Sequence, residues 1–179
     1  MGQCLTALLI AAILFTSAAR AQTSSHIGRH ETSAEDAAAI IQVAKDFQAA
    51  IVDKNPKQLS ALLLNSSILF TSPASPQGVK RAQEKGYVTF DGVRNRGATE
   101  FLGFVASAKG PIEEKFYNIK ITQDGHVAWV MFDFEFLSAG KIENYGVETW
   151  QMLKTIDGKW KIFSVVWSSH GAPAQAPTK

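Results

Sequence analysis

Asp133 and Glu135 stand two residues apart inside the run AWVMFDFEF, and they are the carboxylates in the chain best placed to do acid-base chemistry. A carboxylate walled in by tryptophan and methionine has its charged form disfavoured. Its proton affinity then moves toward neutrality, as proton abstraction next to a carbonyl requires. Asp133 is therefore the candidate general base, Glu135 a second carboxylate, and Tyr117 or Tyr145 a donor to the substrate oxygen. The competing reading makes Asp133 a solvated strand residue or one tied to a lysine.

Other chemistries find little support. His26 and His30 have helical ligand spacing, but Gly28 lies between them and no third ligand accompanies them, so they read as solvated. His170, at the end of the last strand, reads the same way. The chain has no glycine-rich phosphate loop and no Ser-His motif, so no cofactor and no metal are expected. Its single cysteine, Cys4, precedes an apolar run from Leu5 to Phe15 that is too short to span a bilayer. Ala19-Arg20-Ala21 then forms a cleavage site, so residues 1–21 read as a signal peptide, although no Lys or Arg precedes the apolar run. An exported protein, periplasmic or secreted, is expected. After cleavage it would have no membrane anchor and no cysteine, hence no disulfide and no thiolate chemistry. The formal net charge of +2 is nearly balanced, which argues against nucleic acid as a partner.

The 179 residues, 46% of them hydrophobic, suffice for one domain with a real core. Residues 22–32 are polar and aperiodic and read as a flexible leader. Ser33 and Asp36 have capping-box spacing, and Ile40, Val43, Phe47 and Ile51 recur at helical spacing as far as about Lys54. Asn55-Pro56 starts a second helix carrying Leu59, Leu62 and Leu63, and residues 67–71 read as a short strand. Residues 73–97, rich in Pro and Gly, read as an irregular loop with a strand-like piece at 87–90; Arg94 and Arg96 at its end read as solvated rather than as an anion site. Thr99 is expected to cap a third helix through Phe101, Leu102, Val105 and Ala108. Strands at 112–123, 127–137, 142–155 and 159–168 follow, with Asp-Gly turns at 124–125 and 157–158. Residues 171–179 read as a disordered tail. The expectation is an α+β domain over 33–170, with three N-terminal helices packed on a curved, mostly antiparallel sheet.

The Asp53-Lys54-Asn55 turn, the helix start Gly97-Ala98-Thr99-Glu100-Phe101 and above all the ending DGKWKIFSVVWS resemble the nuclear transport factor 2-like (NTF2-like) superfamily. Within it the chain is similar to the SnoaL-like and DUF4440-type branches and to the association domain of calcium/calmodulin-dependent kinase II. The resemblance implies a cone whose sheet and helices enclose a pocket, in a family that includes ketosteroid isomerases, dehydratases and many members without a known reaction. It sets Asp133, Gln151 and Trp167 at the positions of three pocket arginines of the kinase domain. Ser164 and Val166 stand where histidines are usual. The anion-binding role of those arginines therefore does not carry over.

Two assignments of the sheet faces remain open. By residue type, Ala128, Val130, Phe132, Phe134 and Phe136 belong inside and Asp133 in water, with Glu148 joining the Phe parity on the next strand. By resemblance, Trp129, Met131, Asp133, Gln151 and Trp167, with Tyr117, line a mostly apolar pocket for a small hydrophobic molecule with a polar handle. The corresponding functions are a non-catalytic small-molecule binder, an isomerase- or dehydratase-like enzyme using Asp133, and an assembly module that forms a homodimer through the sheet on its Phe face.

Overall fold

In a computed structural model, residues 27–28, 30–93 and 97–172 are described. The expected signal peptide, most of the leader, Arg94, Arg96 and residues 173–179 of the expected tail lie outside the described residues.

The first helix, α1 (Ala34–Val52), starts at Ser33, whose Oγ accepts the Asp36 N–H at 3.0 Å. It buries Ile40, Ala44, Phe47, Ala50 and Ile51 along one stripe. The second, α2 (Pro56–Leu62), has proline in its first turn and Asn55 as cap, accepting from the Gln58 N–H at 3.0 Å. The short strand β1 (Leu69–Thr71) follows.

The stretch expected to be an irregular loop contains a further helix, α3 (Pro76–Glu84), capped by Ser75 on the Gly78 N–H at 3.1 Å. None of its residues is buried, and a polar segment holding Pro76 and Gly78 looks like a loop by composition. The strand-like piece at 87–90 is instead a turn, closed by Phe90 N–H to Tyr87 O at 2.9 Å. The fourth helix, α4 (Thr99–Ser107), begins one residue earlier in its capping than expected: Ala98 occupies the cap position and no side chain caps it. Four helices, rather than three, thus accompany the sheet among the described residues.

The long strands are β2 (Ile112–Asp124), β3 (Val127–Ser138), β4 (Lys141–Lys154) and β5 (Trp160–Trp167), with a two-residue β6 (His170–Gly171). The sheet order is β1-β5-β4-β3-β2, with β6 on β4; the pairings are antiparallel except β1 with β5. On β3 the alternation assigns Ala128, Val130, Phe132 and Phe134 to the interior, while Trp129, Met131 and Asp133 are exposed. The apolar face is covered by the helices, and the assignment by residue type is the one adopted.

Three bulges then switch parity along the neighbouring strands. On β2 the register slips between Tyr117 and Lys120, around Asn118 at φ 54. Glu114 and Phe116 therefore point inward before the bulge and Ile119 and Ile121 after it, whereas Tyr117 turns outward. On β5, Ile162 pairs with Met152 but Ser164 pairs with Gln151, leaving Phe163 as an extra residue. Val165 and Trp167 consequently join the inner face with Trp150 and Glu148. The third slip lies between Phe136 and Leu137, near the chain's return into β4.

One polar cluster ties helix to sheet. The Asp36 carboxylate accepts from Lys154 Nζ at 2.7 Å, Gln123 Nε2 at 2.7 Å and Trp160 Nε1 at 2.9 Å. The first turn of α1 is thereby attached to β2, β4 and β5 at once. These donors hold the Asp36 carboxyl well below the usual carboxylate range, the Lys154 bond contributing most.

Candidate functional site

The inner face of the sheet does not pack solidly against the helices. Between them lies a cavity of about 180 Å³, lined by Phe47, Phe101, Phe134 and Phe136 together with Glu114, Asn144, Glu148 and Trp167. A wider chamber of about 410 Å³ adjoins it, sharing Phe70, Phe101, Phe104 and Trp167 and adding Thr71, Ser72, Gly97 and Glu100. The walls of the two chambers come from seven elements, α1, α4 and β1 to β5. The α4 helix supplies Phe101 and Phe104, which stack at 6.3 Å between centroids, and Phe104 lies 5.8 Å from Phe136 across the cavity. Phe70 of β1 stacks on Phe101 at 4.8 Å and meets Trp167 edge-on at 5.2 Å. Behind them Phe47, Phe116, Phe132 and Trp150 form the closed part of the core, with the Phe132 and Trp150 rings at 87°. Burying such rings supplies about 1.5–3 kcal/mol each, which lets the fold carry an unfilled cavity nearby.

Two acids sit in this aromatic surrounding. Glu114 of β2 is 6% exposed and Glu148 of β4 is 4% exposed. Glu148 Oε1 accepts the Trp150 indole N–H at 2.6 Å. Among the described residues no hydrogen bond reaches the Glu114 carboxylate, and no lysine, arginine or histidine lines either chamber. Desolvation, only partly offset by the Trp150 bond, pushes the Glu148 carboxyl up to about 8. Desolvation and then repulsion by Glu148 also raise the Glu114 carboxyl well above the ordinary range. Both carboxyls are thus held above the ordinary range by the same low-dielectric surrounding, Glu148 to about 8. Asn144, on the same wall, donates from Nδ2 to Ser169 Oγ at 3.3 Å, while its buried Oδ1 has no partner.

The residues singled out from sequence divide between the two faces. Trp167 lines the cavity, brought there by the β5 bulge. Trp129, Met131, Asp133 and Gln151 lie on the outer face and are exposed. Asp133 accepts from Asn118 Nδ2 at 2.7 Å, and Glu135 accepts from the Tyr117 hydroxyl at 2.8 Å. That bond, the largest cause, keeps the Tyr117 hydroxyl protonated to higher pH than usual. Two further depressions, of about 360 and about 330 Å³, lie on this face around Asp133, the second lined also by Tyr117, Glu135, Tyr145 and Val147 and sharing Phe134 with the aromatic cavity. The single pocket expected from Trp129, Met131, Asp133, Gln151, Trp167 and Tyr117 is thus divided, because ungapped parity ignores one extra residue in β5 and one in β2. Glu114 was not visible as a site residue from sequence; the Phe116-x-x-Ile119 phase change on β2 was the available signal. Among the described residues no group of three or more His, Cys, Asp or Glu side chains could hold a metal ion.

No protein-family model and no curated protein matches the chain. Solved structures do resemble it. An NTF2-like protein of unknown function from Pseudomonas putida is 11% identical with a TM-score of 0.57, over 83% of this chain and 100% of that one. A protein from Novosphingobium aromaticivorans, provisionally named a scytalone dehydratase, is 14% identical with a TM-score of 0.56, over 81% and 96%. A provisionally named dehydratase of the NTF2-like family from Streptomyces avermitilis is 20% identical with a TM-score of 0.54, over 77% and 98%. At these identities the likeness speaks for architecture, and it agrees with the helix-covered, bulged sheet described above: the chain has the NTF2-like fold.

Proposed function

We propose that the protein binds a small, largely aromatic or apolar molecule with a polar group in the cavity between α4 and the inner sheet face. The observation that carries this reading is the enclosure of two almost fully buried glutamates by phenylalanine and tryptophan in an unfilled, ligand-sized space. A fold gains nothing from burying unpaired acids for packing alone, since leaving such a group without a partner costs several kcal/mol. Titration with small aromatic compounds, followed by tryptophan fluorescence, tests it. Phe136→Trp, which fills the inner chamber, should abolish binding, and Asp133→Asn should leave it unchanged; binding undiminished by Phe136→Trp would overturn the assignment.

A second reading is favoured by one specific observation, the retention of a proton by Glu148 near neutral pH. In this reading the protein is a proton-transfer enzyme of isomerase or dehydratase type. Glu148, once ionised, removes the proton next to a carbonyl, and protonated Glu114 donates to the developing oxyanion. The base is then Glu148 instead of Asp133. Proton-deuterium exchange at the α-carbon of small ketones, followed by NMR, should be lost in Glu148→Gln and retained in Asp133→Asn.

We also infer that the protein is exported, on the strength of the apolar run and Ala-Arg-Ala triplet near its start. A homodimer, if formed through the sheet, uses the outer face, where Tyr117, Trp129, Met131, Tyr145 and Val147 are each 39–45% exposed. The Phe face is core and is not available for it. Sedimentation of the wild type and of Met131→Glu at micromolar concentration checks this; a monomer in both would remove the dimer.

A further inference from the structure

The two carboxylates and the Asn144 Oδ1 of the inner chamber are acceptors, and among the described residues only the Trp150 N–H donates to any of them. Glu114 is a buried residue, 6% exposed, and among the described residues no hydrogen bond reaches its carboxylate. Glu148 receives one bond, from Trp150, whose single N–H is thereby used up. The buried Asn144 Oδ1 on the same wall has no donor either. Around them stand the π-faces and edges of Phe47, Phe101, Phe134, Phe136 and Trp167. Acidic acceptors with a single donor between them, set among aromatic rings and, among the described residues, without any lysine, arginine or histidine on the wall, form the complement of a positive charge carrying several N–H groups. An ammonium gains both from the carboxylates and from cation–π attraction, and the latter strengthens when water is excluded. An anionic ligand would face two acids and a ring of negative π-faces. A neutral donor such as an alcohol satisfies one acceptor at most.

We propose that the chamber is a site for a small organic cation, an aryl- or alkylammonium whose charged head lies between Glu114 and Glu148 and whose apolar body extends past Phe101 and Phe104 into the wider chamber. This rests on the reading of the cavity as a ligand site and specifies its ligand class. Desolvation without a counter-charge raises the proton affinity of the two carboxyls, and the cation supplies that charge, so binding displaces a proton to solvent. No bond is made or broken in this step beyond the proton's departure from a carboxyl group. Glu100 of α4, on the wall of the wider chamber, is a further ionisable group there, and among the described residues the remaining lining residues of both chambers are uncharged.

The test uses three probes of one size on the full protein: phenethylammonium, 2-phenylethanol and 3-phenylpropionate, titrated by calorimetry in buffers of different ionisation enthalpy. Phenethylammonium should bind at least tenfold more tightly than the alcohol, with 3-phenylpropionate weakest. Its affinity should rise about tenfold per pH unit from pH 6 to 7.5, the slope for release of one proton, with the buffer series reporting that proton directly. The alcohol's affinity should stay flat. Glu114→Gln and Glu148→Gln should each lower phenethylammonium affinity at least tenfold and leave the alcohol within about threefold. Equal or tighter binding of the alcohol, or an ammonium preference that survives both substitutions together, would overturn the cation assignment while leaving the cavity a ligand site. Binding of none of the probes, with no change in tryptophan fluorescence, would overturn the ligand site itself and the cation with it.

Discussion

Replacing Glu148 by Gln should make the protein more stable, and by an amount that depends on pH in a defined way. An unfolded glutamate ionises near its model value of 4.5, whereas burial holds the folded Glu148 carboxyl up to about 8. The sign follows from which state binds more protons. Below about pH 4.5 both states are protonated and Glu148 costs nothing. Between about 4.5 and 8 the unfolded chain loses its proton and the folded one does not, so stability falls as pH rises; above about 8 the loss is complete. With 1.36 kcal/mol per pKa unit, the full separation corresponds to about 5 kcal/mol, an upper bound for a site that a ligand-sized opening joins to solvent. Gln retains a carbonyl oxygen for the Trp150 N–H and never ionises. Urea unfolding followed by circular dichroism should therefore give equal stabilities for wild type and Glu148→Gln near pH 4.5, with the variant ahead by about 2–5 kcal/mol at pH 8. A difference that is constant with pH, or a variant less stable than wild type at pH 8, would refute the claim that Glu148 is buried without a counter-charge.

The Asp36 cluster predicts the opposite dependence. Asp36→Ala should cost about 2–4 kcal/mol, because Lys154, Gln123 and Trp160 lose a shared acceptor in a partly buried place. The folded carboxyl is held low, so its contribution is present above the unfolded value near 4 and lost as pH falls below it; the gap between wild type and variant should narrow on acidification, measured by thermal unfolding from pH 6 to pH 2.5. Gly146→Ala should destabilise by about 1–3 kcal/mol, since its Cβ would fall 2.4 Å from the Ser168 carbonyl oxygen and the chain there must shift. Deleting Phe163 should remove the bulge while leaving Ser164–Trp167 opposite Gln151–Glu148, so Trp167 should stay on the inner face and its quenching by iodide should not increase.

Element types were readable where the apolar period matched the final packing. The α1 stripe through Ile40, Phe47 and Ile51, the Asn55-Pro56 start of α2 and the Asp-Gly turns all carry their geometry in local chemistry. The α3 helix did not, because its residues are polar overall and its Pro76 and Gly78 are the usual marks of a loop. On β3 the choice between faces was legible from residue type, since Phe132 and Phe134 gain far more from burial than Asp133 does. On β2 and β5 it was not. A bulge is an extra residue relative to a partner strand, and a single chain read in order contains no partner to count against. That is why Trp167 was named for its identity but grouped with Asp133 and Gln151, and why Glu114 escaped notice. Glu148 shared the phase of Phe132 and was seen to face inward; that it would meet a second acid could not be known before the strands were curved together.

The triple attachment at Asp36 also decides where the molecule can breathe. It joins α1 to β2, β4 and β5 beside the turns at 124–127 and 154–160, while the aromatic chamber lies toward the other ends of the same strands, near Glu114, Phe136 and Asn144. The cone thus has a riveted apex and an unriveted rim. Thermal opening should be graded along the strands, with amides near Gln123, Lys154 and Trp160 exchanging only through global unfolding and those of α4 exchanging through small local excursions. If the chamber takes a ligand as proposed, fixing Phe101 and Phe104 in place should slow its association more than it changes global stability.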